Sequence, residues 1–146
     1  MSSHPDFELT DFLPFMLSQA ADTLGLAFQE QYKARYGLLR TEWRVLFHLG
    51  CYGPMTATDI GRRARLHKTK ISRAVSALQT KRYLTREDVE RDRRQQLLSL
   101  TQAGQRVFAD LNGAAQGFDR AIAARLPEKD MAVLRRCLHV LAALPE

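Results

Sequence analysis

The sequence predicts a mainly α-helical chain interrupted once by a small β-hairpin. Three observations carry that reading. Apolar residues recur at three- and four-residue spacing near both ends of the chain, from Asp11 to Tyr36 and again beyond Pro127. Two short runs between them, "YLTRE" from Tyr83 and "LLSLT" from Leu97, are rich in strand-favouring residues. The stretch joining these runs, "REDVERDRRQQ" from Arg86 to Gln96, holds four arginines and four acids. Between two strands, such a run reads as the charged tip of a hairpin.

The elements follow in order. The first helix places Leu17, Ala20, Leu24, Phe28 and Tyr32 on neighbouring turns, with Pro14 near its start. Gly37 suits the left-handed position past a helix end. Thr41 is the expected N-cap of a second helix, "EWRVLFHLG", which puts Trp43, Leu46, Phe47 and Gly50 on adjoining faces. "CYGP" stops it. Thr56 and Asp59 have capping-box spacing and open a short third helix with Ile60 and Ala64 inward. "RLH" breaks that helix, and a fourth runs over 68–81. Thr101 caps a fifth helix reaching at least Arg125, loosened by Gly104, Gly113 and Gly117. Pro127 suits the first turn of a sixth helix, where Met131, Leu134, Leu138 and Leu141 form an apolar seam. This order is a winged helix–turn–helix flanked by terminal helices. The chain reads as one domain over 1–146, with a central lobe at 38–101 and flanking helices at 8–36 and 102–146. The flanking seams have no evident intrachain partner, which points to pairing with a second copy of the chain.

Charge is unevenly spread. The chain carries a net charge of +6. Residues 60–94 hold 12 Lys and Arg against 4 acids, and the remainder holds 10 against 12. A basic segment between neutral flanks is the footprint of a polyanion-binding module. On the fourth helix, Ile71, Ala74, Val75 and Leu78 share one stripe. Lys68, Thr69, Lys70, Ser72, Arg73, Ser76 and Thr80 lie away from it, and no acid occurs from Gly61 to Arg86. A solvated face normally mixes both signs. Arg73 has the fork of donors that matches guanine O6 and N7. Ser72, Ser76 and Ala77 are small enough for close approach, and Thr69 and Lys70 sit where a helix N-terminus attracts phosphate. The hairpin offers Arg91, Arg93 and Arg94 to a minor groove, with Asp92 placed to aim Arg94. The implied partner is double-stranded DNA.

Other classes are weaker. No run approaches the ~20 apolar residues of a membrane helix, and "MSSHPDFELTD" lacks the pattern of a secretion signal. Cys51 and Cys137 make no disulfide framework, so a cytoplasmic location is expected. His48 and Cys51 lack two further metal ligands at suitable spacing. No metal or other cofactor is expected. No phosphate-binding glycine loop, H-E-x-x-H or G-x-S-x-G is present, so the chain is not expected to be an enzyme. The clustered Glu87, Asp88, Glu90 and Asp92 lie on an exposed tip, where burial cannot raise a carboxylate pKa. Cys137, following Arg135 and Arg136, leaves open a redox-sensing regulator of the same fold. A winged-helix protein-interaction module that does not read DNA is the alternative from a different class.

The segments "TEWRVLFHL", "MTATDIGRRARLHKTKISRAVSALQTKRYLTRE" and "DRRQQLLSLTQAGQ" resemble the MarR family of bacterial transcription regulators. The combination of "ISRAVSAL", the "DRR" wing and the "LT-x-x-G" entry into a helix is the most specific part. The resemblance implies a homodimer held by the terminal helices, with the fourth helix in the major groove and the wing in the minor groove of a palindromic operator. It makes Arg94 the wing arginine and Asp92 its partner. It implies a small-molecule effector bound near Phe28, Tyr32, Trp43, Phe47 and Tyr52; the phenol and indole groups there suggest an aromatic or amphipathic one, and a repressor relieved by it is the expected function. Two positions depart from the pattern. Arg82 stands where the family has glycine, and His67 where it has a small capping residue.

Overall fold

Helix α4 (Lys68–Thr80) sits at the centre of the first of two compact units, Met1–Ala109 and Asp110–Glu146. The computed structural model describes residues 7–89 and 92–145, with Asp92, Arg93 and Arg94 described by backbone alone. The first unit also holds α1 (Leu13–Tyr36), α2 (Arg40–Tyr52), β1 (Met55–Thr56), α3 (Ala57–Ala64), β2 (Leu84–Val89), β3 (Asp92–Leu100) and the start of α5 (Gln102–Ala123), and α2, α3 and β2 pack on α4. The three strands form one antiparallel sheet in the order β1-β3-β2. The fold is mainly helical with a small sheet, as the sequence predicts.

Local chemistry sets the element ends. A 3-10 turn at Leu9–Asp11 precedes α1, so the helix begins later than the Asp11 read from its apolar spacing. Pro14 lacks an N–H and is accommodated in the first turn. Gly37 closes α1 in the left-handed conformation at φ 64°. Helix α2 starts at Arg40, one residue before the Thr41 expected to cap it. Leu39 occupies the N-cap position, and Glu42 reaches back to accept from its backbone N–H at 3.4 Å. Helix α3 has the expected capping box: Asp59 N–H donates to Thr56 Oγ1 at 3.2 Å, and Thr56 N–H donates to Asp59 Oδ2 at 3.3 Å.

Helix α4 buries Ile71, Ala74, Val75 and Leu78, the stripe read from the sequence. They join a core with Val45, Leu46, Leu49, Ile60, Leu84 and Leu98. Each large aliphatic chain buried this way contributes about 1.5–3 kcal/mol. Strand β1 is a difference from the sequence reading. Met55 and Thr56 pair with Leu98 and Leu97, adding a third strand too short to show periodicity. The hairpin strands also run further than "YLTRE" and "LLSLT". Most of the charged run is strand, with a register shift between Asp88 and Val89. Gln96 Nε2 donates to Asp88 Oδ1 across the ribbon at 2.9 Å.

The C-terminus of α4, the start of β2 and the start of α5 meet at Arg82 and Tyr83. Arg82 N–H donates to Gln79 O at 2.9 Å and Tyr83 N–H to Leu78 O at 2.9 Å, the paired bonds of a Schellman end. Arg82 is left-handed, at φ 65°. Thr101 Oγ1 donates to Arg82 O at 2.7 Å and accepts from Gly104 N–H at 3.0 Å, giving α5 the cap expected of Thr101. Thr101 N–H donates to Tyr83 O at 3.0 Å. A Cβ at Gly104 would overlap the Tyr83 carbonyl oxygen, so this junction requires glycine.

In the second unit, α5 continues to Ala123, short of the expected Arg125, and is followed by α6 (Glu128–Ala142). Pro127 stands at the N-cap of α6 rather than in its first turn. Arg135 Nη2 donates to Asp119 Oδ2 at 2.9 Å, an exposed pair that adds little stability. Of the predicted seam, Met131 is buried, while Leu134, Leu138 and Leu141 are exposed.

The left-handed Arg82 is strained by about 1 kcal/mol relative to glycine. Arg82→Gly should therefore raise the unfolding free energy by about that amount in chemical denaturation at fixed protein concentration. A lower midpoint for the variant would mean that the arginine side chain contributes more than its backbone costs.

Candidate nucleic-acid interface

All seven residues expected on the outward face of α4 are exposed: Lys68, Thr69, Lys70, Ser72, Arg73, Ser76 and Thr80. The buried stripe on the other side fixes this orientation. Arg62 and Arg63 of α3, and Arg65, Lys81 and Arg82 at the helix ends, are exposed as well. Arg65 is left-handed at φ 53° and ends α3, a feature without a glycine signal in the sequence. Arg44 holds the same end from α2, its Nη2 donating to Ala64 O at 2.6 Å. Burial, and then the nearby Arg40 charge, lowers the Arg44 pKa from its ordinary value.

His67 is the N-cap of α4. Its Nδ1 accepts from Thr69 N–H at 3.2 Å, so the imidazole does the work of the small capping residue it replaces. Lys68, Lys70 and Arg73 have no carboxylate partner among the described residues, and their charges face solvent. Two of the seven residues are engaged within the fold. Thr80 Oγ1 donates to Ser76 O at 3.0 Å, leaving that hydroxyl as an acceptor. Ser76 Oγ accepts from Arg86 Nη2 at 3.0 Å, and Arg86 Nε donates to Gln79 Oε1 at 2.8 Å. Ser76 is therefore more than a small residue permitting close approach. The sequence reading assigned no role to Arg86. Its signal was the alternation of β2: Leu84 is buried, Thr85 exposed, Arg86 half-buried and Glu87 exposed, so Arg86 takes an inward position.

Arg91 lies outside the described residues. So do the side chains of Asp92, Arg93 and Arg94, and with them the expected Asp92–Arg94 pair. A cleft of about 710 Å³ opens between α3, α4 and the hairpin, with Arg62, Lys68, Ser72, Arg86 and Gln96 among its lining residues.

The five aromatic residues expected at an effector site divide four to one. Trp43 stacks on Tyr32 with centroids 5.2 Å apart and meets Phe28 at 5.2 Å and Phe47 at 5.0 Å. Phe47 in turn meets Phe108, which the sequence reading missed, at 5.1 Å. Tyr52 is exposed at the end of α2 and instead carries the Arg63 guanidinium 4.4 Å above its ring. Burial raises the Tyr32 hydroxyl above its ordinary pKa, opposed by the Arg40 charge. The buried Trp43 Nε1 has no acceptor among the described residues. Cys51 and Cys137 are both free thiols and exposed.

Two features now stand together: an exposed helix face without acids, and a hairpin bound to its flank. Residues 36–95 match the MarR family. That match spans 60 of the 146 residues. YwoH of Bacillus subtilis (strain 168), an uncharacterized HTH-type transcriptional regulator, is 25% identical over 114 residues, which cover 78% of this chain and 82% of that protein. The structure of NMB1585, a MarR family regulator from Neisseria meningitidis, aligns with a TM-score of 0.72 at 26% identity, covering 93% of this chain and 92% of that one. The fold is shared with BpsR of Bordetella bronchiseptica, at a TM-score of 0.84 and 16% identity, covering 95% of this chain and 99% of that one. The DNA binding of BpsR is regulated by 6-hydroxynicotinic acid. In this chain α3 and α4 form a helix–turn–helix, and β2 and β3 form a wing beside it. The family and fold are those of transcriptional regulators. Among the described residues no helix is long and apolar enough to cross a membrane, and no group of three or more His, Cys, Asp or Glu residues is suited to a metal.

Proposed function

We propose that this chain is a homodimeric repressor of the cytoplasm that binds a palindromic operator and releases it when an aromatic small molecule binds. The observation that carries the reading is the outward face of α4, wholly exposed and bearing cations without one acid. Helix α4 enters the major groove, with Arg73 on a base edge and Lys68, Thr69 and Lys70 at phosphates. The wing arginines, Arg94 foremost, reach the minor groove. The dimer forms through the flanking segments 8–36 and 102–146. Exposed Leu13, Met16, Leu17 and Leu24 on α1, and Leu134, Leu138 and Leu141 on α6, support that pairing, because apolar rows of this length are normally covered.

The effector occupies the neighbourhood of the aromatic stack. An aromatic ring extends the contacts of Trp43, Phe28 and Phe47, and a hydrogen-bond acceptor on it satisfies the buried indole N–H. The ligand of BpsR is chemically of this kind.

Two measurements test the reading. After selection of a duplex from a random library, Arg73→Ala should weaken binding by about 1–3 kcal/mol and relax the preference at one base position. A uniform loss across all sequences would move Arg73 to a phosphate. The chain holds one tryptophan, so its emission reports on Trp43 alone. Titration with 6-hydroxynicotinic acid and related hydroxylated aromatic acids should give at least one saturable emission change accompanied by loss of operator binding. Emission that no such compound alters would remove the effector site from this position.

A further inference from the structure

Strand β2 leaves the core at Leu84, and its next inward position is filled by an arginine. There the ribbon passes the last turns of α4, and the guanidinium of Arg86 spans the gap. Its Nε donates to Gln79 and its Nη2 to Ser76, two helix residues three positions apart. Residues so spaced are neighbours along one helix face. Two bonds from one rigid plane to two points on a helix fix an orientation as well as a distance. Both acceptors are neutral, so the pairing leaves the positive charge intact and gains little from charge attraction. Its consequence is geometric. Below Arg86 the wing is already held at Tyr83 by the α5 entry. Strand β1 holds the other edge of the ribbon by pairing with β3 at Leu97 and Leu98, and Arg86 adds the attachment of the β2 edge to α4 itself, which fixes the ribbon against that helix from the side β1 does not reach.

Resting on the reading that α4 and the wing both contact DNA, we propose that Arg86 is a positioning residue. It fixes the angle between wing and recognition helix, so that both reach their grooves in one binding step, and it is not itself a phosphate ligand. A free ribbon loses orientational entropy on docking; a ribbon already set by Arg86 has lost it in folding.

The test compares Arg86→Lys and Arg86→Gln with the parent on the selected duplex, by affinity, salt dependence and hydroxyl-radical footprint. Lysine keeps the charge but cannot make the planar two-point contact. Both variants are expected to lose affinity by about tenfold. The slope of log K against log salt should change equally in both variants, because both lose the same wing contacts and Arg86 itself supplies none. Protection at the centre of each half-site, under α4, should persist while protection at the wing flanks fades. Thermal unfolding of each variant accompanies the footprints, and Gln79→Leu supplies a second cut of the same tether that leaves Arg86 and its charge in place. It should show the same selective loss of flank protection. If Arg86→Lys binds like the parent while Arg86→Gln loses affinity with a slope shallower by about one phosphate contact per subunit, Arg86 is a phosphate ligand and the proposal fails. Equal fading of centre and flank in all three variants would reduce the role to stability and would also overturn it. A parent protein that selects no duplex sinks the proposed function, and this inference with it; the other failures sink this inference alone.

Discussion

The burial of Ile71, Ala74, Val75 and Leu78 is the constraint on which the rest depends. A helix has one azimuth, so seating that stripe in the core determines where every other residue of α4 points. Lys68, Lys70 and Arg73 thereby face outward without any contact needed to hold them there. The apolar stripe supplies the energy, and the cationic face inherits its orientation. The absence of acids from Gly61 to Arg86 then leaves a field of one sign on that side of the lobe.

The second constraint is the junction at Arg82 and Tyr83. The backbone groups of these two residues close α4, start β2 and receive the entry of α5. Gly104 permits the approach because no side chain stands between α5 and the Tyr83 carbonyl. The left-handed turn at Arg82 carries the chain from helix into strand without a linker. Wing and recognition helix are thus joined by a stiff corner, and the Arg86 contacts to Gln79 and Ser76 lie a short way beyond it. The acceptors at this contact are neutral, so they hold the ribbon to the helix without cancelling the Arg86 charge.

Much of this was legible in the sequence, for identifiable reasons. Helical periodicity revealed the α4 stripe because a single buried face gives an unambiguous pattern. Thr56, Thr101 and Gly37 were legible because caps depend on residues close in sequence. The strand lengths were not. Beyond Leu84 the ribbon has polar and charged residues on both sides, so no apolar alternation marks its extent. Strand β1 has two residues and no period at all. Glu42 rather than Thr41 serves the start of α2 because the helix begins one residue early. Arg86 was overlooked because its partners lie seven and ten positions back, where no local rule applies. Four of the five aromatic residues assemble because α1 and α2 each present theirs at helical spacing. Tyr52 lies at the end of α2, where the Arg63 guanidinium covers its ring.

The central claim is that the cations of α4 and the wing meet DNA, with Lys68 and Lys70 at phosphates. The most direct measurement is the affinity for the selected duplex as a function of salt. Neutralising Z phosphates on B-DNA gives a slope of about −0.9Z for log K against log salt. With Lys68 and Lys70 from each of two subunits at phosphates, and the wing arginines in the minor groove releasing further counterions, the slope should be about −3.5 or steeper. It should become shallower by about 3.5 in a Lys68→Gln, Lys70→Gln homodimer, which loses two contacts per subunit. A slope near zero, or one unchanged in that variant, would contradict the account.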